Sequence, residues 1–231
     1  MNIWSKIGHR ILSPVCVLCG ATAEGPLDLC RACNADLPYI RGACHRCGVP
    51  LPTHAEVCGR CLQRPPAYDS LLAPFLYTPP ISALITGLKF QNRLHYARLL
   101  GALLGQSIGA GAARPDCLLP VPLHPARLRQ RGFNQALEIA RPLAERLQIR
   151  LDVVSLQRSR ATDMQSGLPA ERRRANVRNA FQLANSPRAA HVAIIDDVVT
   201  TGHTVEEMAH VLRRAGVKRV EVWAIARAVP H

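Results

Sequence analysis

Alternating apolar runs and amphipathic stretches occupy most of the chain after Tyr68. Short apolar runs predict five strands, and apolar residues spaced three or four apart predict four helices between them. The predicted strands are Leu71–Tyr77, Asp116–Val121, Asp152–Leu156, His191–Ile195 and Arg219–Ala226. The predicted helices are Ile81–Phe90, Leu94–Gly105, Gln135–Leu147 and Val205–Ala215. Strands that alternate with helices of this length favour an α/β fold with a mostly parallel sheet.

A different pattern precedes this region. From Pro14 to Pro66, cysteines, turn residues and short apolar runs replace the regular periodicities. The segment Arg64-Pro65-Pro66 separates the two parts, and consecutive prolines stiffen a linker. We therefore predict two domains, a small cysteine-rich module over residues 1–66 and an α/β domain over residues 67–231.

The composition suits a packed globular protein with a phosphate-bearing partner. Of the 231 residues, 48% are hydrophobic and 19% are charged, which argues against disorder. The net charge is +13, most of it on the predicted α/β domain. The longest uncharged run, Leu99–Ala113, is shorter than the ~20 apolar residues that a bilayer crossing needs. With no secretory signal visible at the start, we expect a cytoplasmic protein without membrane insertion.

Eight of the nine cysteines form four C-x-x-C pairs, and the second half of the pattern repeats the first. Each pair places two sulfurs on one tight turn, and two such turns complete a tetrahedral sulfur shell. We therefore predict two structural Zn²⁺ sites, which would replace the core that this module lacks. The predicted ligands are Cys16, Cys19, Cys30, Cys33, Cys44, Cys47, Cys58 and Cys61.

Other uses of these cysteines fit the pattern less well. A disulfide framework suits an exported protein, and iron–sulfur ligands have less even spacing. The repeat favours sequential ligation, in which the first four and the last four cysteines each bind one ion, but it leaves interleaved ligation open. Cys117 stands apart at the start of an apolar strand, and we interpret it as a core residue.

A second signal follows the fourth predicted strand. Asp196 and Asp197 end an apolar run, and the small polar loop from Thr200 to Thr204 precedes a helix. Backbone N–H groups and hydroxyls in such a loop bind phosphate, and the helix dipole adds attraction. Two carboxylates beside a phosphate site need another partner, and a ribose diol can donate hydrogen bonds to them.

The segment from Ile194 to Thr204 resembles the phosphoribosyl pyrophosphate (PRPP) motif of type I phosphoribosyltransferases. The resemblance implies that Asp196 and Asp197 are the catalytic acids and contact the ribose hydroxyls. It also implies that Mg²⁺ accompanies the pyrophosphate. The residues implied to hold the 5′-phosphate are Thr200, Thr201, Gly202, His203 and Thr204.

A narrower resemblance covers nearly the whole chain. A cysteine-pair module before a phosphoribosyltransferase-like domain is the layout of the ComF family, which is linked to natural competence and DNA uptake. Further blocks agree with that family: Leu88-Lys89-Phe90, Pro120-Val121-Pro122-Leu123, Arg131-Gly132-Phe133-Asn134-Gln135 and Ala180-Phe181. The resemblance implies a type I phosphoribosyltransferase-like sheet flanked by helices, and it places Leu123 and His124 at the pyrophosphate. Single-stranded DNA and proteins of the competence machinery are its implied partners.

Two arginine-rich segments accompany these motifs. Arg127, Arg129 and Arg131 lie close to Phe133 after the second predicted strand, where they can clamp phosphate, face nucleic acid or lie in a solvated loop. A second segment runs from residue 158 to residue 178 and includes Arg158, Arg160 and Arg173. The resemblance makes it a mobile flap over the substrates, and a basic surface helix is the alternative.

Three hypotheses of function follow. The first is an enzyme in which a nucleophile displaces pyrophosphate from C1 of PRPP with the help of Mg²⁺. The second is a non-catalytic module that senses PRPP and binds DNA or a partner protein through its basic face. The third is a structural zinc adaptor. We favour PRPP binding, with phosphoribosyl transfer to an unknown acceptor.

Overall fold

The computed structural model describes residues 14–23, 27–52, 55–109, 114–160 and 179–229. Its central sheet is parallel in every pairing and has the order β1-β8-β7-β3-β4, with β2 beside β8. Its strands are β1 (Ser70–Leu72), β2 (Phe75–Leu76), β3 (Cys117–Pro120), β4 (Arg150–Leu151), β7 (His191–Val199) and β8 (Arg219–Arg227). A separate antiparallel pair is formed by β5 (Leu156–Arg158) and β6 (Phe181–Leu183). The predicted α/β class with a mostly parallel sheet is confirmed.

Seven helices are found in the described residues: α1 (Arg31–Ala35), α2 (Gly59–Gln63), α3 (Ile81–Gln91), α4 (His95–Ser107), α5 (Pro125–Arg131), α6 (Gln135–Leu147) and α7 (His203–Arg214). Four correspond to the predicted helices. The apolar periodicity did not indicate α5, because none of its residues is buried. It is defined by its ends, where Pro125 occupies the first turn and Gly132 closes the helix at a φ of 83°.

Helices cover both faces of the sheet. Ala193 and Ile195 of β7 face the core that contains α3, α4 and α6, whereas Val192 and Ile194 face the core that contains α7. A strand buried on both faces must be apolar without alternation, which is the pattern of its first residues. Cys117 is fully buried in β3.

The central strand β7 is longer than the apolar run. It continues through Asp196 and Asp197 to Val199, because β8 pairs with it as far as Val199 opposite Arg227. Its other neighbour ends sooner, with Pro120 of β3 opposite Ile195. The acids therefore lie within a strand, beside the point where β3 gives way to a loop.

Two strand predictions need correction. The predicted strand Asp152–Leu156 is wrong, because the Asp152 carboxylate accepts the N–H groups of Val154 and Ser155 at 3.1 and 3.0 Å and the Ser155 hydroxyl at 2.7 Å. These bonds form a turn between β4 and β5. The predicted strand Leu71–Tyr77 is divided into β1 and β2 near Pro74, which has no N–H to donate.

The cysteine-rich segment packs directly on the α/β core. Cys16, Leu29 and Leu37 belong to the same buried cluster as Phe75 and the helices α3 and α4. The predicted domain boundary at residue 66 marks a change in sequence pattern, and it remains a prediction. Within the described ranges, we find no helix with the length and apolar character needed to cross a bilayer.

Candidate functional site

The eight paired cysteines form two clusters in sequential order. Cys16, Cys19, Cys30 and Cys33 form one cluster, and in each cluster the four sulfurs lie within 4.8 Å of one another. The second cluster contains Cys44, Cys47, Cys58 and Cys61. The Cys19–Cys30 and Cys47–Cys58 sulfurs are each 3.7 Å apart. Four sulfurs about 2.3 Å from one ion lie about 3.8 Å apart, so both clusters match a tetrahedral zinc shell.

Backbone N–H groups favour the thiolate form of one cysteine in each cluster. Burial alone raises the pKa of the Cys16 thiol, but N–H groups from Cys30 and Cys19 outweigh it and lower this pKa to about 6. In the second cluster the N–H of Cys58 lies 3.3 Å from the Cys44 sulfur. It helps to lower the pKa of Cys44 to about 7 against the opposing effect of burial. Other members of each cluster have the opposite shift: neighbouring sulfurs raise the pKa of Cys33, and burial together with neighbouring sulfurs raises that of Cys61. The support for two structural Zn²⁺ sites therefore comes from the four converging sulfurs of each cluster.

At the carboxyl end of β7, the two acids have different surroundings. Asp197 is buried and forms an ion pair with Lys89 from the last turn of α3. Its other carboxylate oxygen accepts a hydrogen bond of 3.4 Å from Gln135, the first residue of α6. Two helices therefore fix Asp197 on one side of the sheet.

Asp196 faces the opposite side, toward the loop before α7. It lines a small cavity together with residues 198–205, and no other described carboxylate lines that cavity. One of its oxygens accepts the N–H of Asp197 at 2.9 Å. Burial raises the pKa of Asp196, and the Asp197 charge raises it further, against the opposing charge of Lys89. The ionised form of Asp196, at the wall of the cavity, is thus destabilised relative to the protonated form.

The loop from Thr200 to Thr204 has the geometry of an anion site. Gly202 caps α7 with a φ of 83°, a conformation that favours glycine. No residue in the described ranges accepts a hydrogen bond from the N–H of Thr200, Thr201 or Gly202. These donors therefore lie free beside the cavity at the positive end of a helix of 12 residues. The Thr201 hydroxyl and His203 Nδ1 lie 3.1 Å apart.

The loop after β3 lies at the same edge of the sheet. It starts beside β7, since the Val121 N–H donates to the Ile195 carbonyl at 2.9 Å. The Asn134 amide donates to the Val121 carbonyl at 3.0 Å and so fixes the start of the loop. His124 caps α5 through its Nδ1, 3.2 Å from the N–H of Ala126. Leu123 lines a second, larger cavity.

This larger cavity is bounded by the loop after β3, by α5 and α6, and by the segment from β4 to β5. Its volume is about 520 Å³, and Leu123, Phe133 and Arg158 line it. The Arg158 guanidinium lies 5.4 Å from the centroid of the Phe181 ring. Burial lowers the pKa of Arg158, and the proximity of Arg127 lowers it further. The predicted flap residue Arg173 lies outside the described residues, whereas Arg160 is exposed.

Of the three arginines of α5, Arg131 lies near the acid pair, through Gln135. Arg129 is exposed, whereas Arg127 and Arg131 are half-buried. Arg131 donates to the Gln135 side chain at 2.5 Å, and its guanidinium lies 5.4 Å from the centroid of the Phe90 ring. Phe90 is 65% exposed, which makes it the more accessible aromatic here, because Phe133 packs against the core.

Sequence reasoning missed the roles of Lys89 and Gln135. Both lie in the motif blocks quoted above, but neither was assigned to the site. Lys89 follows Leu88 on an apolar helix and is one of three lysines in a chain rich in arginine. A charged residue at a buried position needs a partner, and this was the available signal.

Family models match both parts of the chain. A model described as a double zinc ribbon domain matches residues 7–62, and one described as a phosphoribosyl transferase domain matches residues 134–229. Competence protein F of Haemophilus influenzae is 36% identical over 170 residues, which cover 70% of this chain and 74% of that protein. The chain belongs to the ComF family.

Other relatives of this ComF-family chain have a different name. DNA utilization protein YhgH of Salmonella typhimurium is 41% identical over 158 residues, which cover 66% of this chain and 70% of that protein. The protein of the same name from Escherichia coli K12 is 40% identical over the same length. The double zinc ribbon match agrees with the two Cys₄ clusters, and the prediction of two structural zinc sites is supported.

Among solved structures, this ComF-family chain aligns with "Structure of the allosteric regulatory enzyme of purine biosynthesis". The TM-score is 0.36 at 22% identity, covering 55% of this chain and 25% of that one. A second alignment, with the crystal structure of the protein TT1426 from Thermus thermophilus, has a TM-score of 0.35 at 20% identity. It covers 58% of this chain and 84% of that one.

Sequential ligation predicts how substitutions change the metal content of the ComF-family protein. We expect two zinc ions per chain by elemental analysis, one ion after either Cys16→Ser or Cys44→Ser, and none after both. Each site has its own four sulfurs, so the losses are independent. The Cys117→Ser variant serves as a control with two ions. Loss of both ions from a single substitution would contradict separate sites.

Replacement of the buried acids Asp196 and Asp152 by Asn is expected to change the free energy of unfolding in opposite directions. Because the folded-state pKa of Asp196 is raised, ionisation of this carboxyl reduces stability as the pH rises through that pKa. We expect Asp196→Asn to increase the free energy of unfolding at pH 7 by about 1 kcal/mol, with no gain below pH ~4, where the unfolded chain is also protonated.

Asp152→Asn provides the matched control. Burial alone raises the pKa of Asp152, but the Ser155 hydroxyl and N–H groups outweigh it and lower the pKa. Asp152 therefore stabilises the fold above its unfolded pKa, and this contribution is lost as the pH falls. We expect Asp152→Asn to lower the free energy of unfolding at pH 7 by about 1–3 kcal/mol. Denaturant titrations at several pH values measure both effects, and equal signs at pH 7 would contradict the assignment.

Proposed function

We propose that the protein binds PRPP together with Mg²⁺ at the carboxyl end of β7 and transfers its phosphoribosyl group to an acceptor. The observation that carries this proposal is a single cavity with two complementary walls. One wall is the Asp196 carboxylate, and the other consists of the loop from Thr200 to Thr204 with three free N–H groups. A ligand with a phosphate at one end and hydroxyls nearby fits such a pair of walls.

The phosphate end of the ligand is argued from the loop. The N–H groups of Thr200, Thr201 and Gly202 have no acceptors among the described residues, and the three residues are half-buried, so an anion in the cavity can reach them. An anion that accepts these bonds would gain from the dipole of α7. Thr201 and Thr204, whose side chains carry hydroxyls, line the same cavity. We assign the 5′-phosphate to this wall.

The sugar end is argued from the acid pair. Asp196 lines the cavity and can accept hydrogen bonds from ribose hydroxyls, whereas Asp197 is held away from it by Lys89 and Gln135. Lys89 offsets one of the two negative charges, which reduces repulsion of the polyanionic ligand. We therefore assign sugar contact to Asp196 and a supporting role to Asp197.

The pyrophosphate end is assigned to the loop that contains Leu123 and His124. This loop starts beside Ile195 of β7 and leads into α5, which carries three arginines. Mg²⁺ is an oxygen-seeking ion that binds through few protein carboxylates and several phosphate oxygens. Asp196 is the described carboxylate in the cavity that fits this requirement. When bound, the ion would supply charge neutralisation to the pyrophosphate leaving group.

A role in handling single-stranded DNA in the cytoplasm is the second part of the proposal. Relatives named for DNA utilization and for competence support it. The specific observation is that Arg131 contacts the exposed Phe90 beside the site, and that the same helix carries the exposed Arg129. A basic surface with an accessible ring is suited to phosphates and unstacked bases. Competence proteins are the proposed protein partners.

Calorimetry with PRPP and Mg²⁺ tests the ligand. We expect saturable heat with the zinc-loaded protein and a roughly 10- to 100-fold weaker affinity for Asp196→Asn, because its hydrogen bonds to the sugar lose the assistance of a negative charge. Asp116→Asn is the matched control. The Asp116 carboxylate accepts N–H groups of Ala190 and His191 at 2.8 and 2.9 Å at the opposite edge of the sheet, so its replacement leaves affinity unchanged.

Absence of heat from the folded, zinc-loaded protein would refute PRPP binding. If the ligand binds, a pyrophosphate-release assay with a panel of nucleobases and amines separates the two forms of the proposal. Release with at least one acceptor supports a transferase. Binding without release across the panel supports a PRPP-sensing module, which is the alternative function.

Titration of labelled single-stranded DNA at several salt concentrations tests the basic surface. We expect Arg129→Gln to weaken binding and to reduce the salt slope by about 0.7, the value for one lost phosphate contact on a single strand. Phe90→Leu is expected to weaken binding with an unchanged slope, because it removes stacking. Arg214→Gln, an exposed arginine at the far end of α7, is the control. Equal losses for Arg129→Gln and Arg214→Gln would argue against a defined surface.

A further inference from the structure

Arg227 connects the second cysteine cluster to the loop before α7. It is the last residue of β8, and only 3% of its surface is exposed. Its side chain donates to the carbonyls of Cys47 and Val199, each at 2.9 Å. It also donates to the carbonyls of Thr200 and Ala228. One buried guanidinium therefore joins a metal-ligand residue to two consecutive peptide groups at the start of the loop.

These bonds set the direction of the loop's N–H groups. In a trans peptide the C=O of one residue and the N–H of the next point in opposite directions. Because Arg227 holds the carbonyls of Val199 and Thr200, the N–H groups of Thr200 and Thr201 must point away from it. Those two N–H groups have no acceptor among the described residues and belong to the wall of the cavity. Arg227 thus orients donors that it does not itself contact.

The turn of the second cysteine cluster, which Arg227 contacts, also packs against the sheet. The Leu71 N–H in β1 donates to the His45 carbonyl at 3.0 Å, one residue after the ligand Cys44. Gly48 is packed so closely that a Cβ there would lie 2.4 Å from a methyl carbon of Leu71. The turn from Cys44 to Gly48 is therefore fixed to the sheet as well as to Arg227. A change in this turn would be transmitted to the loop through one side chain.

We propose that Arg227 is a positioning residue that makes the affinity of the loop for phosphate depend on an intact second zinc cluster. This inference rests on the proposed function, since it assumes that the loop binds the 5′-phosphate. The ligand class is a sugar 5-phosphate, whose terminal phosphate accepts the oriented N–H groups. The first cluster has no described hydrogen bond to the loop, so the dependence is specific to the second.

Arginine suits this position because of its donor geometry. Its planar group holds donors at separate, fixed positions: here Nε donates to the Cys47 carbonyl, while one terminal nitrogen lies within hydrogen-bond reach of the carbonyls of Val199, Thr200 and Ala228. A lysine retains the positive charge but offers donors from a single atom. Arg227→Lys therefore separates the geometry of the connection from its charge.

Ribose 5-phosphate is the probe, with calorimetric affinity and zinc content measured together. We expect Arg227→Gln and Arg227→Lys to bind it at least 10-fold more weakly than the unmodified protein while retaining two zinc ions. Arg213→Gln is the matched control. Arg213 also joins distant segments, through the Ala67 carbonyl at 3.2 Å and Asp69 at 2.5 Å, but it does not contact the loop. Its replacement lowers thermal stability and leaves the affinity unchanged.

The clusters provide the second comparison. Cys58→Ser impairs the second cluster and is expected to weaken ribose 5-phosphate binding at least 10-fold, whereas Cys19→Ser impairs the first and leaves it unchanged. Adding Arg227→Gln to Cys58→Ser is expected to cause little further loss, because both act through one connection. Hydrogen exchange supplies a readout without ligand. The Thr201 amide is expected to exchange faster in Cys58→Ser and in Arg227→Lys than in Arg213→Gln.

The outcomes separate this inference from the proposed function. If the unmodified protein does not bind ribose 5-phosphate, the phosphate assignment of the loop fails. If it binds and the folded Arg227 variants bind equally well, the positioning role is overturned while the phosphate site stands. Should Arg227→Gln fail to fold, Arg227→Lys and the Cys58→Ser and Cys19→Ser pair decide the question. Equal affinity in those two cysteine variants also overturns the inference.

Discussion

The pairing of β7 with β8 is the constraint on which the candidate site depends. Their register extends to Val199 opposite Arg227, while β3 stops with Pro120 opposite Ile195. The last residues of β7 therefore keep a strand on one side and have only a loop on the other. The backbone of Asp196 is thus paired with Ala224 of β8, and a cavity lies beside its side chain. The pairing also fixes where the chain turns into α7, so that the free N–H groups of that turn share a cavity with the acid.

The charges at this edge of the sheet are separated by the two faces of β7. Asp197 points into the layer of α3 and α6, where Lys89 and Gln135 hold it. Asp196 points toward α7, where burial and its neighbour raise its pKa. A binding site that keeps a destabilised carboxylate in its empty state gains when a ligand donates hydrogen bonds to it. The same separation allows adjacent residues in the sequence to have different roles.

The sequence predicted the parts of the fold that depend on local pattern. Apolar periodicity identified the principal helices and the central strands, and cysteine spacing identified both metal clusters. It failed at Asp152, where hydrogen bonds from Val154 and Ser155 to the Asp152 carboxylate form a turn that the hydrophobic pattern does not indicate. In the candidate site, the limit was contact between residues far apart in the sequence. The loop and its acids are contiguous and could be recognised, whereas Lys89 and Arg227 act through partners distant in sequence.

A crystal structure of the zinc-loaded protein with PRPP and Mg²⁺ tests the central claim most directly. Our account predicts that the 5′-phosphate accepts hydrogen bonds of about 2.7–3.2 Å from the N–H groups of Thr201 and Gly202. It also predicts that a ribose hydroxyl donates to Asp196 while Asp197 stays with Lys89. A 5′-phosphate bound instead to the arginines of α5, with Asp196 free of ligand, would contradict it.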